Sequence, residues 1–415
     1  MLSVFSALDH AHMARALRLA GRGLFTTQPN PRVGCVLARG EEVVGEGWHE
    51  RAGEPHAEAH ALRAAGARAR GATAYVTLEP CAHHGRTPPC ADALVEAGVA
   101  RVVIAAEDPN PRVDGRGVER LRAAGIAVAS GLMRDAAREI NRGFFCRLER
   151  GRPWLRIKLA TSLDGRTALA NGESKWITGE AARADVQRWR ARSSAILTGS
   201  GTVLADDPHL TVRLAALVPL SPAGRGQGEG GGRGASADST DTAREAAFAV
   251  TFPHPSPLPG GDREASATMA FAPPLRVVLD RTLRTPASAH VLDASAPALL
   301  LHAPDAVRPA RLAAVECAPV ATRDGRLDLD AALRLLAARE VNEVQVEAGP
   351  TLAGALFAAG LVDELLLYVA PVLLGDLARP LLHLPPLAEM AGRKSLRVVD
   401  QRMVGTDIRL LLRPM

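Results

Sequence analysis

Two stretches of the sequence determine its fold class: Gly-Glu-Pro-His-Ala-Glu at residues 53–58, and Tyr-Val-Thr-Leu-Glu-Pro-Cys at residues 75–81, with a further cysteine at position 90. The pattern of apolar residues predicts a helix at 57–65, a strand at 74–78 and a helix at 91–97. His56 therefore lies at a helix start, Cys81 at a strand end and Cys90 at the next helix start. All three residue types bind zinc, so these element ends are a candidate metal site.

The donor set indicates a catalytic rather than a structural metal. One imidazole and two thiolates leave the fourth tetrahedral position for water. Zinc lowers the pKa of such water toward about 7 and so supplies hydroxide at neutral pH. The helix N-terminus that begins at Cys90 favours its thiolate. Glu58 is too close in sequence to His56 to share its helix face, so we interpret it as the catalytic proton shuttle and not as a ligand.

Taken singly, these residues have ordinary explanations: buried small cysteines, a surface histidine and a charge on a helix. Together, in the order His-x-Glu, Pro-Cys and Cys, they match the zinc deaminase signature, except that eight residues separate the cysteines instead of two. One alternative is a single-activity deaminase that acts on tRNA or free nucleosides, with a non-catalytic second half. Another is a structural zinc module with a binding or regulatory second half, against which three ligands and the adjacent Glu58 argue.

The rest of the chain predicts two mixed α/β domains. Helical and strand-like patterns alternate from residue 9 to about 131. A polar, basic segment at 143–153 ends in proline before a strand at 154–159, so we expect domains at 1–150 and 151–415. In the second, the pattern predicts helices at 329–339 and 352–359 and strands at 276–280, 298–302, 343–347 and 364–369.

A segment of different composition interrupts the second domain at about residues 215–273. It is rich in Gly, Pro, Ser and Ala and cannot bury enough apolar surface to offset its ordering entropy. We interpret it as a disordered surface insertion. Its Gly-x-Gly-x-Gly run at 224–228 has neither a strand before it nor a helix after it, which argues against a nucleotide-binding loop.

Composition excludes several function classes. The net charge is only +5, from 50 basic and 45 acidic residues without a block of like charges, so nucleic-acid binding has no support. No apolar run approaches the ~20 residues needed for a membrane span. The five cysteines are an odd number, and no signal-peptide pattern precedes the first helix. These features predict a cytoplasmic protein with reduced thiols.

The motifs resemble the family of bifunctional deaminase/reductases of riboflavin biosynthesis, in which the longer cysteine spacing is usual. The resemblance includes Asn-Pro-Arg-Val-Gly-Cys at 30–35 and His-His-Gly-Arg-Thr-Pro-Pro at 83–89. It implies an N-terminal cytidine-deaminase-like three-layer α/β/α domain that deaminates 2,5-diamino-6-(5-phosphoribosylamino)pyrimidin-4(3H)-one. Zn²⁺ would be held by His56, Cys81 and Cys90, with Asn30, His83 and His84 lining the substrate pocket.

From residue 153 the sequence resembles the reductase domain of the same family, which is similar to dihydrofolate reductase in fold. This implies a C-terminal α/β domain in which NADPH reduces the ribosyl chain of 5-amino-6-(5-phosphoribosylamino)uracil to ribityl. The resemblance implies cofactor contacts at Ala160, Trp176, Thr202, Asp206, Gly349, Pro350, Thr351, Leu352, Ala353, Gly354 and Ala355. It implies substrate contacts at Lys158, Ser174, Arg190, Leu210, Arg213 and Glu347.

The chemistry of these residues agrees with the resemblance. Lys158 is one of only three lysines in a chain that otherwise uses arginine, and lysine can act as a compact cation or change its protonation state. Arg190 and Arg213 suit a phosphate, which a guanidinium can bind with two hydrogen bonds. The strand, turn and helix start at 346–355 can present backbone N–H groups to a phosphate.

Three further expectations complete the interpretation. The family resemblance suggests a homo-oligomer that acts on small molecules. The insertion follows Arg213, so a disturbed reductase pocket could fail while deamination survives. Arg281 occupies a position where the family often has a smaller residue, and it is left unassigned.

Overall fold

The computed structural model describes residues 5–82, 89–111, 113–213 and 272–415. Its first part contains helices α1 (Ala7–Arg22), α2 (Ala57–Ala65), α3 (Cys90–Glu96), α4 (Arg116–Ala123), α5 (Arg134–Ile140) and α6 (Arg142–Arg150). The strands are β1 (Gly34–Arg39), β2 (Glu42–Trp48), β3 (Thr73–Leu78), β4 (Arg101–Ala106) and β5 (Ala127–Ser130), and a 3-10 helix spans Gly66–Ala69. A capping box begins α1, because Ser6 Oγ accepts the Asp9 N–H while the Asp9 carboxylate accepts the Ser6 N–H.

The first sheet has the strand order β2-β1-β3-β4-β5. Strand β1 is antiparallel to β2 and β3, whereas β3, β4 and β5 are parallel. Because successive side chains of a strand point to opposite faces, Leu37 packs with residues of α2, α3 and α4, while Val36 packs with α1, α5 and α6. Helices on both faces of the sheet confirm the three-layer α/β/α architecture expected from the sequence.

The second part contains helices α7 (Glu180–Arg192), α8 (Ser200–Asp206), α9 (Leu329–Ala338) and α10 (Pro350–Ala358). Its strands are β6 (Trp154–Ser162), β7 (Arg166–Ala168), β8 (Ala195–Gly199), β9 (Leu275–Leu279), β10 (Ala298–His302), β11 (Glu316–Pro319), β12 (Thr322–Arg323), β13 (Arg326–Leu327), β14 (Glu343–Val346), β15 (Glu364–Ala370), β16 (Arg379–Pro380), β17 (Leu396–Val404) and β18 (Asp407–Pro414). Short 3-10 helices lie at His290–Leu292, Ala310–Leu312 and Met390–Gly392.

The large sheet of this part has the order β11-β10-β9-β8-β14-β6-β15-β18-β17. Its strands are parallel from β11 to β15, and β15, β18 and β17 then pair antiparallel. Residues of α9 and α10 cover one face, and residues of α7 and α8 pack against the other. The carboxyl ends of the parallel strands lie along one edge of the sheet, where the loops after β8, β9 and β14 meet. Ligands of α/β sheets bind at this edge, so we expect a site there.

Most elements agree with the sequence-based expectations, and the exceptions are informative. The polar, basic segment that led us to place a domain boundary near residue 150 forms α6, whose Phe144 and Phe145 are buried in the first core. The terminal hairpin of β17 and β18 was not predicted. The expected insertion at about 215–273 falls almost entirely on residues 214–271, outside the described part of the chain. Among the helices that the structure describes, none has the length and apolar character needed to cross a membrane.

Candidate metal centre and ligand cavity

The structure brings His56, Cys81 and Cys90 together at one end of the first sheet. Each residue offers one nitrogen or sulfur ligand atom, and these atoms all lie within 4.8 Å of one another. His56 Nδ1 is 3.3 Å from Cys90 Sγ and 3.6 Å from Cys81 Sγ. Because one imidazole and two thiols converge without any carboxylate, the donors fit a zinc ion with one coordination position left open.

The electrostatics of the two thiols favour a thiolate at this centre. A hydrogen bond from the Cys90 thiol lowers the pKa of Cys81 to about 4, and His56 and the Cys90 backbone N–H act in the same direction against the effect of burial. The same hydrogen bond raises the pKa of Cys90, which holds the shared proton. A zinc ligand must be a thiolate, so Cys81 is in the charge state that a zinc ion needs, whereas Cys90 keeps its proton, against the expectation from its helix N-terminus, and would release it on metal binding.

Glu58 lies in the first turn of α2 and is only 3% exposed. Burial raises the pKa of its carboxyl to about 7, although the nearby His56 opposes the shift. Its Oε2 has no hydrogen-bond partner among the described residues, which is unusual for a buried carboxyl oxygen. Glu58 is not among the three converging ligand groups, so this orphaned oxygen fits a group that binds substrate or carries a proton.

A buried histidine that we did not predict from the sequence connects Asn30 to the metal centre. His49 Nδ1 is 3.1 Å from the Pro55 carbonyl oxygen, so Nδ1 carries the proton and donates it. His49 Nε2 then accepts from Asn30 Nδ2 at 3.1 Å. The His49 ring meets the His56 ring edge-on, with 5.4 Å between their centroids. Burial lowers the pKa of His49, which favours this neutral form.

Glu79 was also missed, and it fixes the chain next to Cys81. Its buried carboxylate accepts four backbone N–H groups, those of Gly117 at 2.9 Å, Gly115 at 3.1 Å, Val118 at 3.2 Å and Asp108 at 3.3 Å. Most of these donors belong to the loop and first turn of α4, where unpaired N–H groups attract a carboxylate. No local pattern indicates this role, because the donors lie about thirty to forty residues away in sequence. The predicted pocket residues His83 and His84 lie outside the described residues.

The second part of the chain encloses a cavity of about 1480 Å³ at the ends of the parallel strands. Fourteen residues that the sequence suggested for cofactor or substrate line it: Lys158, Ala160, Ser174, Trp176, Arg190, Thr202, Asp206, Leu210, Glu347, Gly349, Pro350, Thr351, Leu352 and Ala355. Five arginines that we did not predict also line it: Arg183, Arg281, Arg284, Arg326 and Arg379. The cavity is therefore rich in cations and fits an anionic ligand.

Three of the suggested residues are not among those that line the cavity. Ala353 is fully buried in the hydrophobic core, and a Cβ on Gly354 would lie 2.0 Å from the His383 carbonyl oxygen. Both lie on the side of α10 that packs against protein. Arg213 is exposed, and its backbone N–H donates to Gln187 Oε1 at 3.0 Å.

Arg190 and Glu347 form a buried pair inside the cavity. Arg190 Nε and Nη2 donate to the two carboxylate oxygens of Glu347 at 2.7 and 2.8 Å, and Nη1 donates to the Thr211 carbonyl oxygen at 2.7 Å. These bonds use three of the five N–H groups of the guanidinium, so the edge that faces Glu347 cannot also bind a phosphate; that Arg190 binds a phosphate stays a prediction. Burial lowers the pKa of nearby Lys158, and Glu347 opposes that shift. Burial alone would raise the pKa of Glu347, but Arg190 lowers it to about 2.

Comparisons with known proteins match both parts of the chain. Residues 6–106 match the family model described as the cytidine and deoxycytidylate deaminase zinc-binding region, and residues 153–410 match the RibD C-terminal domain. The riboflavin biosynthesis protein RibD of Escherichia coli is 46% identical over 404 residues, covering 97% of this chain and 99% of that protein. The RibD of Haemophilus influenzae is 43% identical and covers 99% of this chain and 98% of its own length.

Solved structures give the same result. RibD of Acinetobacter baumannii superposes with a TM-score of 0.80 at 41% identity, covering 98% of this chain and 99% of that one. A diaminohydroxyphosphoribosylaminopyrimidine deaminase/5-amino-6-(5-phosphoribosylamino)uracil reductase of Thermotoga maritima superposes with a TM-score of 0.76 at 29% identity and the same coverage. The similarity thus extends over both sheets.

Proposed function

Because this chain belongs to the RibD family, and is thus a bifunctional deaminase and reductase of riboflavin biosynthesis, we propose that each reaction takes place at one of the two sites described above. Deamination occurs at the metal centre of residues 1–150, and reduction occurs in the cavity of residues 151–415. The observation that carries this assignment is the convergence of His56, Cys81 and Cys90 beside the buried Glu58. The deaminase-only alternative is not favoured, because both domain families match.

At the first site, His56, Cys81 and Cys90 would hold zinc, which when bound would activate a water molecule for attack at neutral pH. Glu58 transfers protons to the ring nitrogen of the diaminopyrimidinone and then to the departing amine. Its burial and its raised pKa support this role, because a general acid and base works best with a pKa near the operating pH. Asn30, oriented by His49, binds the pyrimidine.

At the second site, the loop before α10 would bind NADPH, which when bound would supply the hydride. The N-terminal N–H groups of α10, after Gly349, face the cavity and suit a phosphate of the cofactor. Lys158 and the Arg190–Glu347 pair bind the sugar chain that is reduced. The pair gives the ribose hydroxyls both a carboxylate acceptor and a cation. Arg213, which is exposed and outside the cavity lining, stays our candidate for the substrate phosphate from the family resemblance.

We also propose a homo-oligomer that forms through the outer edge of the large sheet. Strand β17 ends that sheet, so one side of its backbone has no strand partner within the described chain. Val398, Val399 and Met403 on this strand are exposed by 53%, 38% and 63%. An edge strand of nine residues that exposes three apolar side chains is a template for pairing with a second copy. Sedimentation of the purified protein tests this proposal.

The test of the two activities is an assay with purified protein, zinc and the diaminopyrimidinone phosphate, in which ammonia release and NADPH oxidation are followed separately. We expect both signals, with NADPH oxidation dependent on prior deamination. Ammonia release alone would show that the second cavity does not reduce this product. If neither signal appeared with the pyrimidine but a nucleoside or tRNA base lost ammonia, the assignment of the first site would be wrong.

A further inference from the structure

The loop that carries Asn30 is held by residues of the other half of the chain. We name residues 27–32 the docking loop. Gln28 Nε2 donates to the Arg192 carbonyl oxygen at 3.0 Å, and Gln28 Oε1 accepts from Ser194 Oγ at 2.6 Å. Asn342 Nδ2 donates to the Pro29 carbonyl oxygen at 2.7 Å and to Gln28 Oε1 at 3.2 Å. The two residues just before Asn30 are therefore bonded to the last residue of α7 and to the residues that precede β8 and β14.

The hydrogen bonds of Asn342 form a closed set. Its Oδ1 accepts from Arg147 Nε at 2.7 Å, and both Nδ2 protons are used by the docking loop, which fixes the orientation of the amide. Ser194 Oγ accepts the backbone N–H of Asn342 at 3.0 Å, so its own proton is directed to Gln28. Asn342 is only 3% exposed. Buried polar groups with complete hydrogen bonding specify one arrangement, because any displacement leaves several of them unpaired.

An ion pair fixes the other end of the docking loop. Arg32 Nη1 donates to Glu343 Oε1 at 3.0 Å, and its guanidinium also donates to the Ile140 and Leu24 carbonyl oxygens. Glu343 is fully buried and also pairs with Arg156 and Arg192 of its own half. Detaching the loop from this surface would leave the buried Glu343 without one of its cationic partners, which is unfavourable in free energy.

The docking loop is connected to the metal centre. Asn30, between the two anchored ends, donates to His49, and His49 lies against the ring of His56. The direction in which Asn30 presents its amide is thus set from both sides: by His49 in its own half, and by Asn342 and Ser194 in the other half.

We propose that Asn342 and Ser194, which belong to the reductase half, are positioning residues for deamination, because they hold the docking loop so that Asn30 meets the pyrimidine. This inference rests on the proposed role of Asn30 in the deaminase pocket. Strand β14 then contributes to both sites. Asn342, just before the strand, and Glu343, its first residue, hold the docking loop. Glu347, just after its end, lines the reductase cavity.

The experiment uses two variants of the full-length enzyme. Asn342→Asp keeps the acceptor for Arg147 but replaces the donor that faces Pro29 and Gln28 with a second oxygen. Gln28→Ala removes the bonds of this side chain to Arg192, Ser194 and Asn342 from the other half, at a half-buried position where folding is less at risk. The control is Arg150→Gln, because the largely exposed Arg150 also bonds across the halves, to Asp363, without contacting the docking loop.

Deamination is measured by ammonia release, reduction by NADPH oxidation with the deaminated substrate supplied directly, and zinc by elemental analysis. For both variants we expect the deaminase KM to rise about tenfold, a loss of about 1.4 kcal/mol in binding, with a much smaller change in kcat. The reductase constants and the zinc content should match wild type. In Arg150→Gln all constants should stay near wild type, because Asp363 keeps its bonds to Arg152.

Two results would overturn the inference. Equal losses in both activities would show that the contacts only support the fold. An unchanged deaminase KM in both Asn342→Asp and Gln28→Ala would show that these hydrogen bonds do not position Asn30. Asn30→Ala, measured in parallel, separates this inference from its premise. An unchanged KM there would disprove the substrate contact itself, and the positioning role with it, whereas a raised KM in Asn30→Ala without an effect of the other two variants would refute only the positioning.

Discussion

The role of Glu58 can be tested by a substitution that preserves shape and removes only the titrating group. Glu58→Gln keeps the size of a side chain that is 3% exposed and packed in the first turn of α2, so the fold should be retained. Its Oε2 makes no hydrogen bond within the described residues, so the amide that replaces it breaks no existing contact. What the variant loses is the ability to carry a proton.

The size of the effect follows from this loss. Burial raises the pKa of Glu58 to about 7, so both protonation states are accessible near neutral pH, as a residue that alternately accepts and donates a proton requires. Removing such a group typically costs about 100- to 10,000-fold in rate. We expect ammonia release to fall by that amount in kcat, with the zinc content and the reductase constants at wild-type values. The exposed Glu54→Gln, four residues earlier in the chain, is the matched control and should behave as wild type.

Two results would refute this reasoning. If Glu58→Gln lost its zinc together with its activity, Glu58 would contribute to metal binding, and the separation of ligand and proton shuttle would be wrong. If the variant kept its zinc and a kcat close to wild type, another group would carry the proton. The reductase activity of the same sample distinguishes both results from simple misfolding.

Three further predictions concern reduction and stability. Glu347→Gln should lower reductase kcat/KM by at least about tenfold and leave ammonia release unchanged, because it removes the buried partner of Arg190. For Glu364, burial alone would raise the pKa, but surrounding guanidinium groups lower it to about 2, so its stabilising effect is complete above about pH 5 and is lost as the pH falls toward 2. Urea midpoints should therefore fall between pH 5 and pH 3, and a constant midpoint would disprove this. Gly34→Ala should lower the melting temperature, since its Cβ would lie 2.0 Å from the Ala16 carbonyl oxygen and force α1 away from β1.

The metal centre could be predicted from the sequence because each of its parts is local. His56, Cys81 and Cys90 stand beside helix and strand boundaries that periodicity alone locates, and the chemistry of three soft donors is specific. The same reasoning failed for His49 and Glu79. A histidine that orients an asparagine, or a carboxylate that accepts four distant N–H groups, leaves no regular spacing in the sequence.

The cavity of the second half shows a different limit. Sequence patterns located the strands that end at it, and the family resemblance suggested fourteen of its lining residues, but neither showed how those residues pair with one another. Arg190 was expected to bind a phosphate, whereas three of its five N–H donors are taken by Glu347 and Thr211. Whether an arginine faces a ligand or a buried carboxylate depends on which strands become neighbours. That is a long-range property: β14, which precedes Glu347, lies between β8 and β6 in the sheet but follows both in the chain.

The junction between the halves explains why a polar, basic segment is not a flexible linker here. Helix α6 buries Phe144 and Phe145 in the first core, while its Arg142 pairs with Glu364 of the second sheet at 3.0 Å. Five arginines, from both halves, surround Glu343 and Glu364: Arg32, Arg142, Arg156, Arg192 and Arg413. Separating the halves would leave these charges without partners at a cost far above that of a typical surface contact. A rigid junction of this kind lets a residue such as Asn342 determine the geometry of a site in the other half, which a free linker could not do.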